Sequence, residues 1–203
     1  MIMPNLSPDS PARRILKEVF GYTSFRPGQE KVIHEILSGN HVLTVMPTGA
    51  GKSICFQIPA LIGEGLTIVV SPLVALMEDQ VASLKLDGVA AETINSSHDR
   101  EVNIASWQRI AAGEVRLLYI SPERLMTGRM LSALNRLKVD HIAIDEAHCI
   151  SRWGPSFRPD YEELTRLSDL FPKVPISAFT ATADEGTRQD IASKLFKYTC
   201  LIF

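Results

Sequence analysis

Seven short apolar runs rich in β-branched residues, separated by stretches of helical spacing, leave this chain few folds to adopt. The runs are Val42–Met46, Leu66–Val70, Val89–Ile94, Val115–Ile120, His141–Ile144, Ile176–Phe179 and Thr199–Phe203. Apolar spacing predicts helices over 12–20 and 27–38, then near 53–62, 73–86, 99–112, 123–137, 160–170 and 184–195. Strands that are apolar at successive positions are buried on both faces, and helix-length connections join strands in parallel. The predicted fold class is therefore α/β, a mostly parallel sheet with helices on both faces. Ser71-Pro72 and Ser121-Pro122 each place a capping hydroxyl before a first-turn proline, and Thr182-Ala-Asp-Glu185 reads as a capping box. The longest irregular stretch, about 149 to 160, is long enough in a compact domain to imply a function.

The 203 residues make one large domain, with about 1–40 as a short helical lead-in. A net charge of -2 excludes a chain that holds nucleic acid by bulk positive charge, so any such contact comes from local groups. Three widely spaced cysteines, Cys55, Cys149 and Cys200, form no CxxC pair and argue against a disulfide framework or a zinc site. Met1-Ile-Met-Pro4 opens with no basic region ahead of an apolar run, and no stretch approaches the roughly 18 apolar residues of a membrane helix. The expectation is a cytoplasmic protein, nuclear if eukaryotic, with no membrane partner.

Met46-Pro-Thr-Gly-Ala-Gly-Lys-Ser53 follows a strand and opens a helix. Gly49 and Gly51 let the backbone turn so that N–H groups, including those of Thr48 and Ala50, face inward as a nest for phosphate oxygens. The following helix adds its positive end, Lys52 reaches the β- and γ-phosphates, and the Ser53 hydroxyl can ligate Mg²⁺. The strict pattern has Gly where Met46 stands. The expectation is a nucleoside triphosphate site.

Ile142-Ala-Ile-Asp-Glu-Ala-His148 ends an apolar strand in two carboxylates. Ligands of doubly wound sheets bind beyond the carboxyl ends of strands, where the phosphate loop also lies. Asp145 is then placed to hold Mg²⁺ and Glu146 to orient or deprotonate the attacking water. Paired acids at a strand end can also be solvated charge; beside a phosphate loop they point to hydrolysis.

Together these motifs resemble superfamily 2 helicases and translocases. Phe25-Arg-Pro-Gly-Gln29, Ser71-Pro-Leu-Val-Ala-Leu-Met-Glu-Asp-Gln80, Tyr119-Ile-Ser-Pro-Glu-Arg-Leu125 and Phe179-Thr-Ala-Thr-Ala183 stand in the order found in RecQ DNA helicases. Cys149-Ile-Ser-Arg-Trp-Gly-Pro-Ser-Phe-Arg-Pro-Asp-Tyr161 is similar to that family's aromatic-rich loop, and the likeness runs from about 12 to 195. It implies a RecA-like P-loop domain using ATP and Mg²⁺, with Lys52, Asp145, Glu146 and His148 as its catalytic set.

It also implies that Gln29, with Arg26 and Tyr22, recognises adenine, for which an amide can read donor and acceptor on one base edge. Arg152, Trp153, Phe157 and Arg158 would sense single-stranded DNA by stacking and charge. Ser71 and Pro122, at two helix starts, would touch the DNA backbone. Thr180 and Thr182 would couple hydrolysis to DNA contact. Helix packing for Tyr22 and capping for Thr182 are the competing uses.

The chain departs from the family pattern at Gly154-Pro-Ser-Phe157, where Gly-His-Asp-Phe is usual, and after Leu195. The missing His and Asp imply a weaker link between DNA binding and hydrolysis. No second RecA-like domain, cysteine-rich zinc region or helical DNA-binding module follows within these residues. The expectation is the ATP-binding half of a 3′-to-5′ DNA helicase that acts on single-stranded and duplex DNA. Alone, it binds ATP·Mg²⁺, turns over slowly at best and does not unwind. Two readings stay open beside it, an RNA helicase of the DEAD/DEAH classes and a non-catalytic ATP-binding module.

Overall fold

The computed structural model describes residues 7, 9–151, 156–197 and 199–203. Seven strands form one parallel sheet: β1 (Val42–Val45), β2 (Leu66–Val70), β3 (Ala91–Ile94), β4 (Leu117–Ile120), β5 (Val139–Ile144), β6 (Ile176–Thr180) and β7 (Leu201–Ile202). Their order across the sheet is β3-β4-β2-β5-β6-β1-β7. Successive residues of each strand point to opposite faces, so one strand feeds two cores. On β2, Ile68 and Val70 enter one core and Val69 the other; on β5, Ile142 and Ile144 face away from Ala143.

Helices α1 (Pro11–Glu18), α2 (Gln29–Leu37), α3 (Lys52–Ile62) and α4 (Val74–Leu86) cover the face that buries Val69, Tyr119 and Phe179. The opposite face receives α5 (Arg100–Ala111), α6 (Pro122–Leu125), α7 (Gly128–Leu134), α8 (Pro159–Glu162), α9 (Leu167–Leu170) and α10 (Glu185–Phe196). Ser10 begins α1, its Oγ accepting from the Arg13 N–H at 3.4 Å with Pro11 in the first turn. Among the described residues no helix is long and apolar enough to cross a membrane.

Several expected boundaries move, each for a local reason. The stretch 123–137 is two helices because Thr127 starts the second, its Oγ1 accepting from the Met130 N–H at 3.3 Å. The stretch 160–170 is α8, a 3₁₀ turn at Glu163–Arg166 and α9. Val89 and Val115 are buried but precede their strands, and the last strand is only two residues long. Ser71-Pro72 does not cap α4, which starts at Val74 after an extended Leu73. Ser121 does precede α6, but its side chain makes no cap bond. Thr182 is not the cap of α10: Asp184 is, with Oδ1 accepting from the Thr187 N–H at 2.7 Å. A carboxylate two residues nearer the helix outcompetes the hydroxyl.

Candidate active site

β1, β6 and β5 lie side by side, so the phosphate loop, Thr180 and Asp145 all sit at adjacent carboxyl ends of the sheet. The Met46 N–H donates to the Thr180 carbonyl at 3.0 Å, fixing the root of the loop. Gly49 and Gly51 have φ of 80° and 82°, the left-handed region that residues with a Cβ adopt only against steric cost. Gly51 is doubly constrained, since a Cβ there would lie 2.5 Å from Gln29 Nε2. Met46, by contrast, has no positive φ and packs its side chain into the core under α1–α3, which is why a side chain replaces the usual glycine there.

Thr48, Gly49, Gly51, Lys52 and Ser53 share a cleft of about 350 Å³ with Tyr22, Arg26, Gln29, Asp145 and Glu146. That is the lower end of the size range of small-molecule sites. Leu76 and Gln80 of α4 line it as well, which sequence spacing did not single out. Tyr22 is 52% exposed at the cleft, leaving its ring free to stack.

Arg26 and Gln29 stand in the cleft but spend their donors on the phosphate loop. Arg26 Nη1 donates to the Gly49 carbonyl. Gln29 Nε2 donates to the carbonyls of Ala50 at 3.2 Å and Gly51 at 3.0 Å, while its Oε1 accepts from the Arg26 N–H at 2.8 Å. Lys52 Nζ also turns back, onto the Met46 carbonyl at 3.2 Å.

Asp145 is buried; its N–H donates to the Val70 carbonyl at 2.9 Å, and its Oδ1 accepts from the Glu146 N–H at 2.9 Å. Burial first, and the Glu146 charge second, push its pKa up to about 6. A buried carboxylate whose raised pKa is only partly offset by Lys52 and His148 favours a further cation. Ser53 and Asp145 on one cleft supply two hard oxygen donors, which suits Mg²⁺, since that ion keeps its other positions for phosphate oxygens and water.

Glu146 is one of two non-glycine residues with positive φ among the described residues, at φ 51°. His148 Nδ1 lies 3.2 Å from Glu146 Oε2 and 2.9 Å from Thr180 Oγ1. The Cys149 sulfur, 3.8 Å from Nε2, and the Glu146 carboxylate push the His148 pKa up to about 9, so the ring is charged at neutral pH. The hydrogen bond from His148 in turn holds the Glu146 pKa below its ordinary value despite partial burial. The chain of contacts continues from Thr180 Oγ1, which donates to the Thr182 carbonyl at 3.1 Å. Thr182 thus joins the network through its backbone.

The described residues among those expected to meet DNA lie around the same end of the sheet. Ser71 is buried, and its Oγ has no protein partner among the described residues. Pro122 is buried at the start of α6. Arg158 is exposed, with Nη1 3.4 Å from the Pro72 carbonyl, and Phe157 is half-buried. Arg152 and Trp153 lie outside the described residues. Tyr161 was not singled out by the sequence reading; it is fully buried and its hydroxyl donates to the Asp145 carbonyl at 2.9 Å. Its only sequence signal is a hydroxyl-bearing aromatic at the end of the aromatic-rich string.

A family model described as DEAD/DEAH box helicase matches residues 26–191. An ATP-dependent DNA helicase RecQ of Haemophilus influenzae is 51% identical over 184 residues, 91% of this chain and 30% of that protein. Its counterpart in Pasteurella multocida is 50% identical over 181 residues, 89% of this chain and 29% of that protein. The chain thus spans about 30% of the length of these relatives. Among solved structures, the DUF1998 helicase MrfA superposes with a TM-score of 0.74 at 17% identity, covering 97% of this chain and 32% of that one. A hypothetical ATP-dependent RNA helicase from Sulfolobus tokodaii gives 0.71 at 19% identity, over 95% and 56%; at such identities the likeness is one of fold. This chain belongs to the DEAD/DEAH box helicase family, and its likeness to RecQ DNA helicases extends over 91% of its length.

Proposed function

We propose that this chain is the ATP-binding and hydrolysing RecA-like half of a RecQ-like 3′-to-5′ DNA helicase. The observation that carries the reading is the chain of contacts Glu146–His148–Thr180–Thr182, which starts at the phosphate cleft and runs across two strand ends. A site that only bound nucleotide would not need an ionised carboxylate backed by a charged imidazole.

In this mechanism Tyr22 stacks on the adenine, and Arg26 and Gln29 exchange their bonds to the phosphate loop for bonds to the base. Lys52 leaves the Met46 carbonyl for the β- and γ-phosphates. Ser53 and Asp145 would hold Mg²⁺, which would supply neutralisation of phosphate charge when bound. Glu146 is ionised, its pKa lowered further by the hydrogen bond from His148, and it orients the water for in-line attack on the γ-phosphorus. Any change at Thr180–Thr182 reaches Glu146 through the imidazole.

A second RecA-like domain would supply the arginine finger, worth on the order of 10³–10⁵ in rate elsewhere. The chain alone is accordingly slow, and it does not unwind duplex. In this reading Phe157 and Arg158, with Arg152 and Trp153, form the single-stranded DNA track, while the buried Ser71 and Pro122 fix the backbone at two strand ends beside it. The test is Mg²⁺-dependent ATP hydrolysis with and without a single-stranded oligonucleotide, using Lys52→Ala as the blank. Slow turnover lost in the blank is the expected result. A chain that binds no ATP, or binds it equally well after Lys52→Ala, overturns the reading. Comparing DNA with RNA oligonucleotides separates it from an RNA helicase.

A further inference from the structure

We propose that the Tyr161 hydroxyl is a positioning group for hydrolysis, holding the peptide unit that joins Asp145 to Glu146 and thereby the direction in which Glu146 points. This rests on Glu146 being the group that orients the water.

The carbonyl oxygen of Asp145 and the N–H of Glu146 belong to one rigid plane. The structure pins both ends of that plane. The N–H donates to Asp145 Oδ1 at 2.9 Å, and the oxygen accepts from Tyr161 Oη at 2.9 Å. A rotation of the plane changes the φ of Glu146 directly. That φ is 51°, a value that favours glycine, so the backbone has a standing tendency to relax out of it. Such a conformation persists only where its surroundings over-determine it, and the tyrosine hydroxyl is one of the groups that do so.

The hydroxyl is itself held in place. Tyr161 is fully buried within the core that also contains Ala147, Cys149 and Ile150 of the turn after Glu146. Its N–H donates to the Arg158 carbonyl at 3.0 Å, and the Arg158 N–H donates to the Cys149 carbonyl at 3.0 Å, so the backbone that follows the acids is tied to the segment that carries the ring. Lys194 Nζ donates to the Ile150 carbonyl at 3.3 Å, so the turn is clamped from α10 as well, while Tyr161 holds the carbonyl of the peptide between the acids.

The molecule contains its own control. Tyr119 on β4 is equally buried and feels the Asp145 charge, but its hydroxyl accepts from Gln57 Nε2 at 3.2 Å on α3 and makes no hydrogen bond to that peptide. A hydroxyl that serves packing alone would behave alike at the two positions.

The experiment is single-turnover hydrolysis of γ-labelled ATP with the whole chain in excess, which reads slow steps, paired with binding of a fluorescent ATP analogue. Tyr161→Phe is expected to keep nucleotide affinity within roughly twofold and to lose roughly ten- to a hundredfold in hydrolysis rate. Tyr119→Phe is expected to change neither quantity. Replacing Tyr161 by 4-aminophenylalanine, which restores a donor, is expected to recover the rate, and this variant decides alone if Tyr161→Phe does not fold. Hydrolysis by Tyr161→Phe at the wild-type rate, an equal loss in Tyr119→Phe, or no recovery with the amino analogue overturns the positioning role. Wild-type hydrolysis that is absent, or that survives Lys52→Ala, overturns the proposed function instead and takes this role with it.

Discussion

Two aspartates bracket strand β5, and the sheet treats them in opposite ways. At the amino end, Asp140 Oδ2 accepts from the N–H groups of Glu64 at 3.1 Å and Gly65 at 2.6 Å. Around it Lys138 pairs with Glu64 at 2.9 Å, and Arg116 donates to the Glu64 carbonyl. Gly65 approaches so closely that a Cβ there would lie 2.5 Å from Asp140 Oδ1. At the carboxyl end, Asp145 accepts one N–H, is buried beside another acid, and has its pKa raised to about 6. The same residue type closes a turn at one end and is left short of positive charge at the other. All strands run parallel, so only the carboxyl end receives loops that lead into helix N-termini. That end is therefore where under-neutralised groups can be answered by a ligand.

The largest break in this contrast comes from Asp145→Asn. ATP hydrolysis is expected to fall on the order of a hundredfold or more, since the metal loses its charged ligand. The nucleotide-free protein is expected to become more stable at pH 8, on the order of 2 kcal/mol, in a denaturant titration with EDTA. The sign follows from the raised pKa: the stability linked to this group is present below about pH 4 and lost as pH rises through about 6, so wild type carries the penalty at pH 8. An unchanged midpoint removes the charge-deficit argument. Asp140→Ala should do the reverse, costing about 1–3 kcal/mol by leaving two N–H groups without their acceptor. ATP affinity should not move, and a loss of affinity would mean that the two ends are coupled.

His141, between the two aspartates, sharpens the comparison by its pH dependence. It is fully buried, its Nε2 2.7 Å from Ser177 Oγ, and burial drives its pKa down to about 3. A depressed pKa contributes stability that is present above about 6.5 and lost as pH falls toward 3, with a slope approaching 1.4 kcal/mol per pH unit. Replacing it with Gln should flatten the acid limb of the stability curve by about one proton; an unaltered slope excludes His141 as its source. The smallest effect concerns the backbone of Glu146. Glu146→Gly should be more stable than Glu146→Ala by about 1 kcal/mol, because glycine occupies the left-handed region without steric cost. Equal melting temperatures would mean that the φ is not strained.

Much of the architecture was legible because burial on both faces shows as apolar runs that need no partner to be recognised. The phosphate loop and the two acids were legible because their chemistry demands particular residues at fixed spacing beside strand ends. Helix breaks at Thr127 and near Glu163 were not, since apolar spacing continues across them while side-chain caps and 3₁₀ turns interrupt the backbone. The caps at Ser71 and Thr182 failed for a related reason: a hydroxyl caps only where the chain actually turns into the helix.

The sequence by itself determined that a parallel sheet would bring a phosphate nest and two carboxylates to one end, because strand period and crossover length leave no other arrangement. Only the tertiary structure decided how those groups are held. The αL backbone of Glu146 has no local signature, and the raised pKa of His148 comes from neighbours whose geometry only the fold fixes. The same holds for the Tyr161 hydroxyl on Asp145 and for the grip of Arg26 and Gln29 on the loop. The bonds of Tyr161, Arg26 and Gln29 join partners 16 to 23 residues apart along the chain, and a one-dimensional pattern carries no record of what folding brings into contact.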